Sequence, residues 1–307
     1  MKRLQVETVY DSKAPWSENG AELTKARTVP AILKAAKIDW AVEKRNLYDA
    51  NGNPSSGFGI YRETDSACLG IVGARYKPIQ NAEAFELFAD FLKDGGTRMD
   101  IAGSLSGGKL VWGMAKLGDN FKLPGGDNLT PYLFLGVPHG LNRSLTLRVV
   151  TVRDVCNNTL SIAMRDRHAK ATWKLRHSSV LDLPKKEAAR ELIMGALEDA
   201  REHQAVAKKL MKIKVSDDRA ADIVTKIFGS KVDVETDRAS LRVRQILDAY
   251  RNAPGAMPGN AWGLLNGVTY WTDHINGRKP DKRMESAMLG HNASRKSNFV
   301  SKLLELA

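Results

Sequence analysis

The chain has 307 residues, 43% hydrophobic and 27% charged, which is enough apolar content for one large domain or two modest ones and too much for global disorder. Forty-seven Lys and Arg against 35 Asp and Glu leave a formal charge of +12, which favours a polyanionic partner such as nucleic acid. No apolar run approaches the roughly 20 residues of a membrane span, the first residues lack the apolar stretch of a secretory signal, and two cysteines, Cys68 and Cys156, exclude a disulfide framework.

The charge excess is uneven: residues 1–150 carry +3 and residues 151–307 carry +9. Residues 1–38 read as an extended polar arm followed by a short helix, opened by Thr28 with Pro30 in its first turn. Strand patterns follow at Trp40–Leu47, Phe58–Arg62 and Leu69–Tyr76, and Asn81 then caps a helix whose Ala84, Phe85, Phe88, Ala89 and Leu92 recur at helical spacing. Two hairpins are expected next, Arg98–Leu105 with Leu110–Leu117, and Pro131–Val137 with Ser144–Arg153. Leu145, Leu147 and Val149 alternate with Ser144, Thr146 and Arg148, as a sheet with one buried face requires.

A short helix is predicted around Asn157–Met164, and a basic strand around Ala171–Ser178. Beyond Pro184 the pattern is helical, with segments at Lys185–Met211, from Ser216 to Phe228, and at Thr236–Tyr250, Asn260–His274 and Ala293–Leu306. Pro254, Gly255, Pro258 and Gly259 look like a linker. The expected class is α+β: an N-terminal antiparallel sheet with a β-β-β-α unit and hairpins in residues 39–180, then a helical region in residues 184–307.

Gly103-Ser104-Leu105-Ser106-Gly107-Gly108-Lys109 fits the spacing of a phosphate-binding loop, but Leu110 stands where Ser or Thr must reach Mg²⁺. The residues after it read as a strand, whereas such a loop must open a helix, so a hairpin turn is expected. Six scattered histidines show no metal-ligand spacing, and no paired carboxylates suggest two-metal chemistry. No catalytic residue, metal or cofactor is therefore expected.

The segment from Arg165 to His177 concentrates Arg165, Arg167, Lys170, Lys174 and Arg176 against the single Asp166. Such a strip can neutralise phosphates, and Trp173 can stack a base or pack into the core with Leu175. Arg148 and Arg153, on the strand predicted before it, are further candidates. Trp262, Leu265, Asn266 and Thr269 form a helical stripe, and Ala261, Gly263 and Gly267 would admit a second helix, from this chain or from another copy.

Several stretches taken together resemble a known family: Trp40–Tyr48, Leu69-Gly70-Ile71-Val72-Gly73-Ala74-Arg75-Tyr76-Lys77-Pro78-Ile79-Gln80-Asn81, Ala102–Trp112, Arg153–Leu160, Trp262–His274 and Ser286-Ala287-Met288-Leu289-Gly290. This series is similar to the phage/plasmid-like DUF932 family, across roughly residues 35–305. The resemblance implies a mobile-element protein working in the cytoplasm of a bacterial host, and it brings no activity with it. The β-β-β-α order is also similar, more loosely, to the core of Rad52-type single-strand annealing proteins. The resulting expectation is a homo-oligomeric DNA-metabolism protein that binds single-stranded DNA and anneals complementary strands without a cofactor. The alternatives are a DNA-processing enzyme such as a nuclease, and a host-factor interaction protein acting through the helical region.

Overall fold

The structure, a computed structural model, describes residues 8–10, 20–22, 28–94, 99–140, 143–153, 158–160, 172–178, 183–229, 240–277 and 279–306. Antiparallel strands dominate the first half and helices the second, so the class is α+β. The chain divides into two compact units. One comprises Met1–Gly118, Tyr132–Val149 and His168–Leu197, and the other Asp119–Pro131, Val150–Arg167 and Glu198–Ala307.

In the first unit, strands β1 (Thr8–Tyr10) and β2 (Gly20–Glu22) precede helix α1 (Val29–Ala35), which Pro30 opens and which buries Ile32 and Leu33. Strands β3 (Val42–Tyr48), β4 (Pro54–Arg62) and β5 (Cys68–Val72) form a three-stranded antiparallel sheet. Helix α2 (Asn81–Asp94) completes the expected β-β-β-α order and buries Ala84, Phe85, Phe88 and Leu92. The third strand stops at Val72 rather than Tyr76, and residues 73–80 form a loop.

Strands β6 (Met99–Leu105) and β7 (Leu110–Lys116) pair as a hairpin around a turn at Ser106–Gly108. The phosphate-loop spacing therefore belongs to a tight turn, as its context implied. The turn needs its glycines. Gly107 and Gly108 have φ of 71° and 91°, and a Cβ on Gly108 would stand 3.0 Å from Arg62 Nη1 and 3.1 Å from the Trp40 ring. Arg62 itself donates to both oxygens of Asp65, and this bond holds the Asp65 carboxyl down at about 2. The larger sheet of this unit continues from β7 into the Tyr132–Pro138 part of β9 (Asn128–Pro138), the Leu145–Val149 part of β10 (Leu145–Arg153) and then β12 (Thr172–Leu175).

In the second unit, β8 (Phe121–Lys122) pairs with the start of β9 around a turn at Pro124–Gly126. The end of β10 pairs with β11 (Asn158–Leu160). That strand lies where a helix over Asn157–Met164 was expected. Pairing with Thr151, Val152 and Arg153 satisfies backbone groups on β10 that local helix propensity cannot serve. Helix α3 (Leu183–Lys212) enters this unit at Glu198 and is followed by α4 (Asp217–Phe228), α5 (Leu241–Asn252) and α6 (Ala261–Tyr270). Ser216, Ser240 and Asn260 cap the last three, accepting from the amides of Arg219, Val243 and Gly263. A wider π turn at Trp271–Ile275 extends α6. Helices α7 (Pro280–Leu289) and α8 (His291–Leu304) end the chain, where one helix from Ala293 was expected. Pro280 in a first turn and Gly290 at the break are the local signals for the extra helix.

The stripe on α6 packs inside this unit. Trp262, Leu265 and Thr269 are buried, and a Cβ on Gly267 would lie 2.7 Å from Tyr250 Cα on α5. The small residues admit a helix of the same chain, so the expected oligomer draws no support from this stripe. Segment 254–259, read as a linker, is tied down: Gly259 N–H donates to Tyr250 Oη at 2.7 Å, and Gly255 O accepts from Arg153 Nη2 at 2.6 Å. Arg153 Nε also donates to Asp127 Oδ2 at 2.6 Å, and Trp262 Nε1 donates to the same oxygen at 3.0 Å. Both members of this ion pair are buried.

Two stability outcomes follow. Gly267→Ala should destabilise the protein by about 1–3 kcal/mol because of overpacking against α5, although the same change in an open helix would stabilise it. Asp127→Ala should cost about 3–5 kcal/mol by stranding the buried Arg153. Denaturant midpoints of the two variants check both.

Candidate nucleic-acid interface

The loop after β5 is shaped by its own turn and by side chains from distant segments. Tyr76 N–H donates to Gly73 O at 3.1 Å, and Lys44 Nζ donates to the carbonyls of Ala74 and Tyr76. The Tyr76 ring stacks on His177, with centroids 4.4 Å apart and planes 12° apart. Its hydroxyl donates to Pro138 O and accepts from Gly140 N–H, both at 3.3 Å. Burial pushes the Tyr76 phenol up to about 12, so it stays protonated as that donor. Lys77 N–H donates to His177 O at 2.6 Å, and His177 Nδ1 donates back to Lys77 O at 3.2 Å.

This reciprocal pair joins segments a hundred residues apart in sequence. It sets Arg75 and Lys77, both exposed, beside the end of β12, where Lys174 and Arg176 are also exposed. None of the four has a carboxylate partner among the described residues. Chemically this is a strip of cations on a rigid support, suited to a chain of phosphates.

The residues singled out in the sequence are distributed unequally. Lys174 and Arg176 belong to the strip. Register sets Thr172 opposite Arg148 and Lys174 opposite Thr146, so Arg148 and Lys174 share a face of the β10–β12 pair. Arg148 is mostly covered there, and burial pushes its guanidinium down to about 10. Trp173 is half-buried on the opposite face, level with Leu147 and on the side of buried Leu175. Its ring therefore points away from the Lys174 side. Arg153 lies in the other unit, committed to Asp127. Arg165, Arg167 and Lys170 lie outside the described residues, as does Cys156.

Arg75 and Lys77 were missed. The signal available was two basic residues around an aromatic, just before Pro78, within a stretch read as strand. Among the described residues, no group of three or more His, Cys, Asp or Glu side chains could hold a metal ion. No helix among them is long and apolar enough to cross a membrane.

Behind the strip, His139 is fully buried. Its Nε2 bonds Asn81 Oδ1 at 2.8 Å, while the Asn81 amide donates to the carbonyls of Ile38 and Trp40. That arrangement makes Nε2 the donor and leaves Nδ1 buried without a partner. Burial, with a smaller contribution from His177, pushes His139 down to about 3, and burial lowers His177 as well. Below pH 6.5, where an unfolded histidine takes up a proton, the fold still holds His139 neutral. The stability this contributes is complete above that pH and is lost as pH falls toward 3. His139→Asn should flatten this acid loss, as read from melting temperatures between pH 7 and pH 4.

The family model described as Domain of unknown function (DUF932) matches residues 68–292. That span takes in the 73–80 loop, β12 and most of the helical unit. No curated protein and no solved structure matches the chain, and the expected likeness to Rad52-type annealing proteins gains no support.

Proposed function

This chain belongs to the DUF932 family, and we propose that it binds single-stranded DNA through Arg75, Lys77, Lys174 and Arg176. The observation that carries this reading is the reciprocal backbone and side-chain pair between Lys77 and His177, which gathers four exposed cations onto one support. Lys174 and Arg176 are two residues apart along an extended chain, about 6.6 Å, which is of the order of the separation between successive phosphates on one strand. Contacts of this kind hold the backbone and leave bases exposed for pairing. Annealing of complementary strands is the activity such presentation serves, in keeping with the phage or plasmid setting expected from the sequence, and it needs no cofactor because duplex formation is downhill.

The mechanism is electrostatic. Each side chain that neutralises a phosphate releases counterions, so affinity falls with salt in proportion to the number of contacts. Rigidity matters as much as charge. The Tyr76–His177 stack and the hydroxyl bridge to Pro138 and Gly140 hold the loop in place before any ligand arrives, which lowers the ordering cost of binding.

The test is fluorescence-anisotropy titration of single- and double-stranded oligonucleotides of equal length across a salt series. Wild-type protein should prefer the single strand. K174A/R176A should reduce the slope of log affinity against log salt by about 1.4, at about 0.7 per lost contact. K174E/R176E should weaken binding more than tenfold while leaving the melting temperature unchanged. Equal, salt-labile binding of both DNA forms, untouched by these substitutions, would sink the assignment.

A further inference from the structure

We propose that the open face of the β3–β4–β5 sheet stacks a base of the strand whose phosphates the cationic strip holds, an assignment that rests on the single-strand reading above. Register decides which side chains share that face. Arg45 on β3, Gly59 on β4 and Ile71 on β5 stand opposite one another and point to one side, which Tyr61 shares two residues further along β4. Val42, Ile60 and Arg62 point to the other side and are buried.

The central strand leaves the open face nearly bare, because Gly57 and Gly59 hold two successive positions on it. The Tyr61 ring lies down into the gap: a Cβ on Gly59 would stand 2.9 Å from Tyr61 Cζ and 3.0 Å from its hydroxyl oxygen. The ring therefore lies along the sheet, with one face against the Gly59 backbone. On the β3 side, the Arg45 guanidinium carbon is 5.0 Å from the ring centre. Glu43 Oε2 accepts from Arg45 Nε at 2.8 Å and Ser66 Oγ accepts from its Nη1 at 3.3 Å, so the guanidinium is anchored there. On the β5 side stands Ile71, 70% exposed, whose Cγ2 would lie 3.3 Å from a Cβ on Gly57.

Covering Gly59 accounts for one face of the ring. It does not account for a guanidinium anchored beside that ring, nor for an isoleucine left in water across from it. The charge of Arg45 is met by Glu43, so this row offers no spare cation to a phosphate. What fits it is a flat group, apolar on its faces and without net charge, and an unpaired base has that chemistry: bases stack on aromatic rings and on guanidinium planes alike. The strip lies within reach. Arg75 follows Ile71 by four residues, at most about 14 Å of chain, so a strand with a phosphate on Arg75 can lay a nearby base on Tyr61. The two surfaces divide the work, with cations for the backbone and a neutral platform for a base.

Fluorescence-anisotropy titration of the full chain tests this with two probes of equal length, a single-stranded oligodeoxynucleotide and an abasic oligomer that keeps the phosphates and lacks the bases. Y61L should weaken binding of the oligodeoxynucleotide about tenfold, as expected for one stacked base, without changing its salt slope. It should leave binding of the abasic oligomer unchanged. Y61F, which keeps the ring, should bind both probes as wild type does. Should Y61L not fold, photocrosslinking of wild-type protein to an oligonucleotide carrying 5-iododeoxyuridine takes its place, with Tyr61 the expected attachment point. Oligodeoxynucleotide binding untouched by Y61L, an equal loss with both probes, an equal loss in Y61F, or crosslinks confined to other segments would overturn the platform. The strip is judged separately: a salt slope lowered by K174A/R176A beside an inert Y61L sinks the platform alone, whereas wild-type protein that binds neither probe sinks both.

Discussion

A buried carboxylate must keep its charge partnered, and the helical unit is built around one that does. Asp127 sits at the exit of a turn whose Gly125 and Gly126 both adopt positive φ, a conformation that lets the chain reverse within three residues. Arg153 and Trp262 reach the same oxygen of Asp127 from a strand end and from α6, and Arg153 extends to the carbonyl of Gly255. Three segments far apart in sequence thus meet at one charge. The meeting fixes the start of α6, where Gly263 lies against the backbone of Met257 and Gly267 can then pack against Tyr250 on α5. An apolar replacement could fill the same volume, but it would not select these partners from among the alternatives a greasy interior permits.

The first unit uses the same logic with neutral groups. Asn81, expected to cap α2, is its first residue, and its side chain is spent elsewhere: the amide serves two backbone carbonyls and the oxygen serves His139. Tyr76 and His177 do the equivalent for the loop before α2, using a ring stack and a hydroxyl that gives and receives. The result is a support that does not need the cations it displays. Arg75, Lys77, Lys174 and Arg176 can be replaced without removing any of the bonds just named that involve side chains. Binding and folding are therefore separable at this site, which is why substitutions there report on function.

Arg153 shows why a basic residue in a strand pattern cannot be assigned from its type. Its charge and its place on the Ser144–Arg153 strand make it a candidate for phosphate contact, yet its partner, Asp127, comes from a hairpin turn 26 residues earlier. Trp173 shows the converse. Its placement on the Leu175 side follows from strand alternation alone, and the register with Leu147 confirms it. The helix expected over Asn157–Met164 failed for a third reason, because Asn158–Leu160 is recruited as a partner by the end of β10.

Periodicity, caps and turn residues by themselves determined the class, the β-β-β-α order, the hairpin in place of a phosphate loop, and helix starts such as those after Ser216 and Asn260. All of these depend on interactions within a few residues of one another. Composition determined the excess of positive charge. Tertiary structure alone decided which charges are available. Arg153 is withdrawn into an ion pair, Arg148 is largely covered, and Arg75 and Lys77 are brought to β12 by a bond that spans a hundred residues. Local sequence specifies backbone conformation because its energies are local. Burial and pairing of a charge depend on what the fold sets opposite it, and in this protein that partner comes from elsewhere in the chain.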